Sequence, residues 1–208
     1  MSPLPVSVDP WGTLHAVPEH GATFGNRGVL HDRDRHVVRG WQGRRWIICR
    51  TEFRGRTREV LPVGGYTGLF FRDEATALAA GHRPCFECRR ADAQAFLEAA
   101  QCVGGTAALD EALHRERLAD DARPRDGLRA GRRLHPALTG ADVEGAIAIS
   151  SDDGVVVFSD GTWRRWTFGA LGGAVAAGTL VGLLTPPTAI AALSAGYRPT
   201  DVPLIAEP

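Results

Sequence analysis

From residue 26 onward, short apolar runs alternate with turn residues at β-strand spacing. Residues 27–31, 36–41, 44–53 and 57–63 read as strands, separated by Asp32-Arg33-Asp34-Arg35, Gln42-Gly43 and Arg54-Gly55-Arg56. This pattern predicts an antiparallel β-meander with His31, His36 and Cys49 near one end of the sheet. Residues 1–24, with several Pro and Gly, read as an irregular arm. After Gly64-Gly65 comes a strand, Leu69-Phe70-Phe71. Asp73 or Glu74 then opens an Ala-rich helix that Gly81 closes by a left-handed cap. A second helix is predicted over about 89–101, with Ala95, Phe96 and Ala99 at helical spacing.

Gly104-Gly105 marks a boundary. Beyond it a helix is expected over 107–118, then a polar stretch over 119–140. Short strands follow at 145–149, 155–158 and 163–167, joined by Asp152-Asp153-Gly154 and Asp160-Gly161 turns. Residues 168–184 carry no charge, but they are rich in Gly and Ala and end at Thr185-Pro186-Pro187. A loop and a buried strand at 179–184 account for them better than a membrane span does. The last helix is expected over 185–195, with Thr185 as N-cap and Pro186 as its first residue.

Composition changes this picture little. The hydrophobic fraction of 44% supports a core, and the net charge of zero points to no class of partner. All 24 basic residues are Arg, so Arg placement carries the information and the Arg/Lys ratio does not. The N-terminus lacks the basic and apolar pattern of a secretory signal. Four cysteines, two of them as Cys-x-x-Cys, suit a reduced, cytoplasmic protein with no membrane partner.

The chemistry lies in Cys85-Phe86-Glu87-Cys88. A two-residue gap lets both sulfurs face one ion while amides of the turn point toward them. A redox pair would sit at the head of a helix after a buried strand. Here the pair follows a helix end and Arg83-Pro84, which places zinc ahead of redox chemistry. Zinc takes four ligands, so two more are needed.

The segment Ala75-Thr76-Ala77-Leu78-Ala79-Ala80-Gly81-His82-Arg83-Pro84-Cys85-Phe86-Glu87-Cys88-Arg89 resembles the zinc domain of Ada-type alkylated-DNA repair proteins. Ile47-Ile48-Cys49-Arg50 is similar to the segment supplying that family's first zinc cysteine. The resemblance covers about residues 45–95 and implies Cys49, Cys85 and Cys88 as ligands. The chain also resembles a family of uncharacterised bacterial proteins with the same Gly-His-Arg-Pro-Cys segment. Ala189 to Pro199 nearly repeats the helix-to-Pro portion without a cysteine, so that portion is partly a general way to end a helix. The family has a second cysteine four residues after the first, where this chain has Phe53. The fourth ligand is therefore sought among His31, His36 and His82. His31 is preferred, with Asp32 as a supporting partner. Three thiolates and a neutral His give the zinc site a net −1, so Cys49 is expected to hold metal rather than to accept a methyl group from DNA.

Residues 27–58 hold ten Arg against three acidic residues, interleaved with Trp41, Trp46 and Phe53. Arg89 and Arg90 follow the knuckle. Arg27, Arg44, Arg45, Arg50, Arg54, Arg56, Arg58, Arg89 and Arg90 are thus candidate phosphate contacts. A basic run over 123–133, flanked by Asp120, Asp121 and Asp126, reads as a solvated loop. The expected fold is α+β: an antiparallel β-meander with a zinc knuckle and short helices, followed by a smaller α+β C-terminal half. The expected divisions are 1–24, 25–104 and 105–208. The expected function is a zinc-stabilised nucleic-acid-binding protein, with DNA as the partner, in repair or regulation. The rival is a zinc-dependent hydrolase, nuclease or nucleic-acid modifying enzyme with its site between the two halves. The count of protein ligands on the metal separates the two.

Overall fold

The structure is a computed structural model. It describes all residues except 1–2, 20, 126–130, 137–141, 152–153, 176–179 and 201–208. In chain order its elements are β1 (Ser7–Val8), β2 (Leu14–His15), β3 (Thr23–Asn26), β4 (Ile47–Cys49), β5 (Glu52–Phe53), β6 (Arg56–Thr57), β7 (Leu69–Phe71), α1 (Glu74–Ala79), β8 (Arg83–Pro84), α2 (Arg90–Ala99) and α3 (Gly105–Arg117). Then come β9 (Ile147–Ser150), β10 (Gly154–Ser159), β11 (Thr162–Arg165), β12 (Leu180–Leu183) and α4 (Pro187–Ser194). The fold is α+β, as expected. The turn at Asp152-Asp153 and the start of the strand expected at 179–184 lie outside the described residues, as does part of the 123–133 run.

The first sheet departs from a meander. Its six strands run β2-β1-β7-β3-β4-β8, with β1/β7 and β4/β8 parallel. The arm is not irregular throughout, because it supplies β1 and β2. Residues 27–41 add no strand, only a bridge between His31 and Val37. Side chains take the amides a ladder would use: Val29 N donates to Gln42 Oε1 (2.9 Å) and Leu30 N to Thr67 Oγ1 (2.8 Å). β5 and β6 form a separate hairpin around Arg54 and Gly55, both at positive φ. Gly25 is required by close approach, since a Cβ there would lie 2.5 Å from the Ile47 carbonyl oxygen.

The second sheet is antiparallel, in the order β11-β10-β9-β12. Thr185 does not cap α4: its hydroxyl instead accepts from Ile147 N at 2.8 Å. Glu116 of α3 serves that helix end, accepting from Thr188 N (2.9 Å) and Thr188 Oγ1 (2.7 Å). No described helix is long and apolar enough to cross a membrane. One apolar cluster joins Val8, Ile48, Leu69 and Phe71 to Phe96, Leu109, Leu113, Leu193 and Tyr197. The core therefore crosses the boundary expected at Gly104-Gly105.

Buried charge ties the same parts together. Glu74, with no exposed side-chain surface, accepts from Arg89 Nη2 (2.9 Å), Tyr197 Oη (2.7 Å) and Thr200 N (2.7 Å). Arg27 and Arg117 lie over the Trp46 ring, 5.0 and 3.9 Å from its centroid. Burial, partly offset by Asp9, lowers the Arg27 pKa to about 9, which leaves it charged at neutral pH.

Removing one member of a buried, hydrogen-bonded ion pair leaves the other charge uncompensated, at about 3–5 kcal/mol. Glu74→Ala is therefore expected to destabilise the fold by that amount in urea denaturation. A loss under about 1 kcal/mol, the range of surface pairs, would contradict the assignment of Glu74 as a buried anchor.

Candidate metal centre and its arginine-lined cleft

The Ala-rich helix predicted from the sequence is α1. Asp73 Oδ1 accepts from Thr76 N at 2.7 Å and caps its start. At its end Gly81 adopts φ +86, His82 N donates to Ala77 O (2.9 Å) and Gly81 N to Leu78 O (2.9 Å). This paired capping reverses the chain into β8. The echo at 189–199 folds the same way: Gly196 has φ +98, and Tyr197 N donates to Ala192 O (3.0 Å).

β8 pairs in parallel with β4, Ile47 opposite Arg83 and Ile48 opposite Pro84. The pairing continues through Cys85 N to Ile48 O at 2.9 Å. Cys49, at the end of β4, thereby meets the Cys85-x-x-Cys88 turn. The three sulfurs lie within 4.8 Å of one another, all buried, and this trio can hold a metal ion. None is in a disulfide. The sulfurs have polar support: Arg50 N donates to Cys88 Sγ (3.4 Å) and Asn26 Nδ2 lies 3.8 Å from Cys49 Sγ. Phe24, Phe70 and Phe53 pack around the trio. Phe53, four residues after Cys49, thus supplies an apolar wall where the Ada pattern has a cysteine.

The thiols share protons unevenly. Hydrogen bonds from Cys49 and Cys88, with backbone amides of Cys88 and Glu87, hold Cys85 far below the usual thiol range. Cys49 is pushed well above it by its hydrogen bonds to Cys85 and Cys88 and by burial. One thiolate is thus already favoured within the trio, the form a metal requires.

No fourth His, Cys, Asp or Glu joins this group among the described residues. His31 is engaged elsewhere, with Nδ1 2.6 Å from Thr67 Oγ1 and Nε2 3.1 Å from the Pro62 carbonyl. His36 is exposed beside Asp32 and Asp34. His82 is fully buried between Trp46 and Phe71, at ring distances of 5.2 and 4.7 Å. Cys102 is half-buried against the helical core.

A cleft of about 650 Å³ opens beside the trio, lined by Cys85, Glu87, Asn26, Gln42, Arg44, Arg45, Arg58 and Tyr66, among others. Of the nine candidate arginines, Arg44, Arg45 and Arg58 are gathered here. Arg50, Arg54 and Arg90 are exposed outside the cleft lining, and Arg56 lies on β6. Two are interior: Arg27 donates to the Gly12 carbonyl (2.7 Å) and Arg89 to Glu74 and Asp92. Trp41 and Trp46 are buried too, so the exposed aromatic of the cleft is Tyr66, 55% accessible. A smaller pocket of about 250 Å³, lined by Arg72, Asp73, Glu144, Phe158 and Arg198 among others, lies between the expected halves and holds no cysteine.

Sequence reasoning missed Tyr66, Gln42 and Asn26. Tyr66 follows Gly64-Gly65 in a loop with no periodicity, so nothing local marks it. Asn26 ends β3, a strand of Thr, Phe, Gly and Asn with no apolar alternation to mark it. Comparison with protein-family models, curated proteins and solved structures finds no match for this chain.

Burial, and then the charges of Arg27, Arg117 and Arg132, lower the His82 pKa well below its ordinary value. The unfolded chain, with an ordinary imidazole pKa of about 6.5, then binds the proton first. Stability from a neutral His82 is complete above that pH and is lost as pH falls below it, by up to about 1.4 kcal/mol per pH unit. His82→Leu is expected to flatten the pH dependence of urea stability below about pH 6.5. An unchanged slope would refute the linkage.

Proposed function

We propose that this is a zinc-binding protein that holds nucleic acid in the cleft beside its cysteine trio. One observation carries the reading: Cys85, Arg44, Arg45, Arg58 and Tyr66 line the same cleft. Zinc suits the donors. Zn–S bonds of about 2.3 Å place neighbouring sulfurs about 3.8 Å apart around a tetrahedral ion, and the trio's spacing admits this with small side-chain shifts. Bound zinc would supply folding energy, joining β4 to the β8 turn. The resemblance to the Ada zinc domain rests on Cys49, Cys85 and Cys88, and favours DNA as the partner and repair or regulation in the cytoplasm as the setting.

The arginines supply charge that tracks a phosphate backbone, and Tyr66 offers a face on which a base can stack. Arg44 is paired with Glu111 across a solvent-exposed contact. Such a pair is weak, so a phosphate can displace the carboxylate. A zinc-dependent enzyme is the second reading, favoured by the three-ligand count among the described residues.

Protein purified without a histidine tag is expected to carry about one zinc per chain by metal analysis. The double variant Cys85→Ser, Cys88→Ser should lose it, whereas His31→Ala should keep it. Zinc retained in the double variant would overturn the site.

Binding to short oligonucleotides should weaken steeply with salt. Replacing Arg44, Arg45 and Arg58 by Ala should reduce the slope of log K against log salt by about 2–3. Tyr66→Ala should cost about 1–3 kcal/mol on single strands. No binding to single- or double-stranded oligonucleotides at low salt would refute the nucleic-acid reading.

A further inference from the structure

Zinc takes four ligands in its structural sites and keeps an exchangeable position where the protein supplies three. The described donors stop at three here. His31 is spent on Thr67 and Pro62, His82 is sealed between two aromatic rings, and Phe53 closes the side nearest β5. Cys85 and the exposed Glu87 belong to the cleft wall, so the trio reaches, through Cys85, a space a small molecule can enter.

We infer that the fourth zinc ligand is a small anionic thiol taken up from the cleft. The inference rests on the zinc reading above and is independent of the nucleic-acid reading. Three thiolates bring the zinc site to a net charge of −1, which blunts its power to acidify bound water. A thiolate competes better there, because it is a softer donor and loses its proton far more readily than water does. The added negative charge, and any carboxylate or phosphate on the ligand, falls among Arg44, Arg45 and Arg58, whose guanidinium groups suit planar anions. The volume of about 650 Å³ lies within the usual small-molecule range. Binding makes one Zn–S bond, and the thiol proton goes to solvent. No oxidation is involved.

The full-length protein loaded with Co(II) in place of zinc reports each new thiolate through its sulfur-to-cobalt charge-transfer absorbance. Two probes decide the question, 3-mercaptopropionate and the neutral 2-mercaptoethanol. The expected result is a saturable rise in that band, with mercaptopropionate acting at about tenfold lower concentration, as one charge-assisted contact implies. Replacing Arg44, Arg45 and Arg58 by Ala should erase the preference while the tetrahedral cobalt spectrum persists. The wild-type comparison stands without that variant. A tetrahedral spectrum that neither thiol alters means a protein donor closes the site, and overturns the inference while leaving the metal site intact. Equal response to both thiols overturns the anionic class. Failure to take up cobalt at all overturns the inference together with the zinc reading.

Discussion

Two residue pairs of parallel sheet, Ile47 with Arg83 and Ile48 with Pro84, hold together the two segments that supply the three clustered cysteines. The pairing is short and ends at a proline, which has no amide to donate. It depends on what flanks it. On one side the left-handed Gly81 turn aims the chain back along β4; on the other, the Cys85 amide extends the ladder to Ile48. Gly81 is confined further by Arg117, whose Cδ would lie 2.6 Å from a Cβ at that position. A side chain at residue 81 would therefore strain the backbone and disturb the buried arginine that sits on Trp46. Helix cap, strand pair and thiol cluster form one mechanical unit.

Local signals in the sequence survived folding, and long-range ones did not. The α1 cap, the Cys-x-x-Cys turn and the consecutive hairpins of β9, β10 and β11 follow from residues close in sequence, so their patterns were readable, whereas the pairing of β12 with β9 spans about thirty residues and was not. The first sheet draws on strands from positions 7 to 84, two pairs of them parallel, and no neighbour pattern encodes such pairing. The run 27–41 misled for a physical reason. Its alternation is real, but Gln42 and Thr67 side chains satisfy its backbone, and Arg27 turns inward. Thr185 misled similarly: an N-cap residue by type, it was claimed by Ile147. Cys49 was expected beside the knuckle from the Ile47-Ile48-Cys49-Arg50 segment, and the structure does bring it to Cys85 and Cys88. The absence of a fourth described donor was not legible, since it depends on where His31 and His82 find other neighbours.

In an arginine-only protein, basic residues must serve both inside and outside. Arg27, Arg89, Arg117 and Arg132 are interior struts that donate to carbonyls, carboxylates or both. The guanidinium fork allows this, because it spans several acceptors and lies flat on an indole. A count of arginines along the chain merges these struts with the exposed set at the cleft. Burial separates them, and it leaves Arg44, Arg45 and Arg58 as the charge available to a ligand beside the thiols.

Arg117 has a consequence for that exposed set. Its Nη2 donates to the Arg44 carbonyl at 2.6 Å, and Trp46 Nε1 donates to the Gly43 carbonyl at 3.2 Å. The main chain under the cleft's arginines is thus pinned from beneath by groups that never meet solvent. A molecule entering the cleft need only still the outer side-chain torsions of Arg44 and Arg45, since the loop that carries them is already ordered. Preorganisation of this kind lowers the entropic cost of association by sparing the backbone share. It makes the last turn of α3, remote in sequence from every candidate ligand contact, a determinant of how tightly the cleft would hold a ligand.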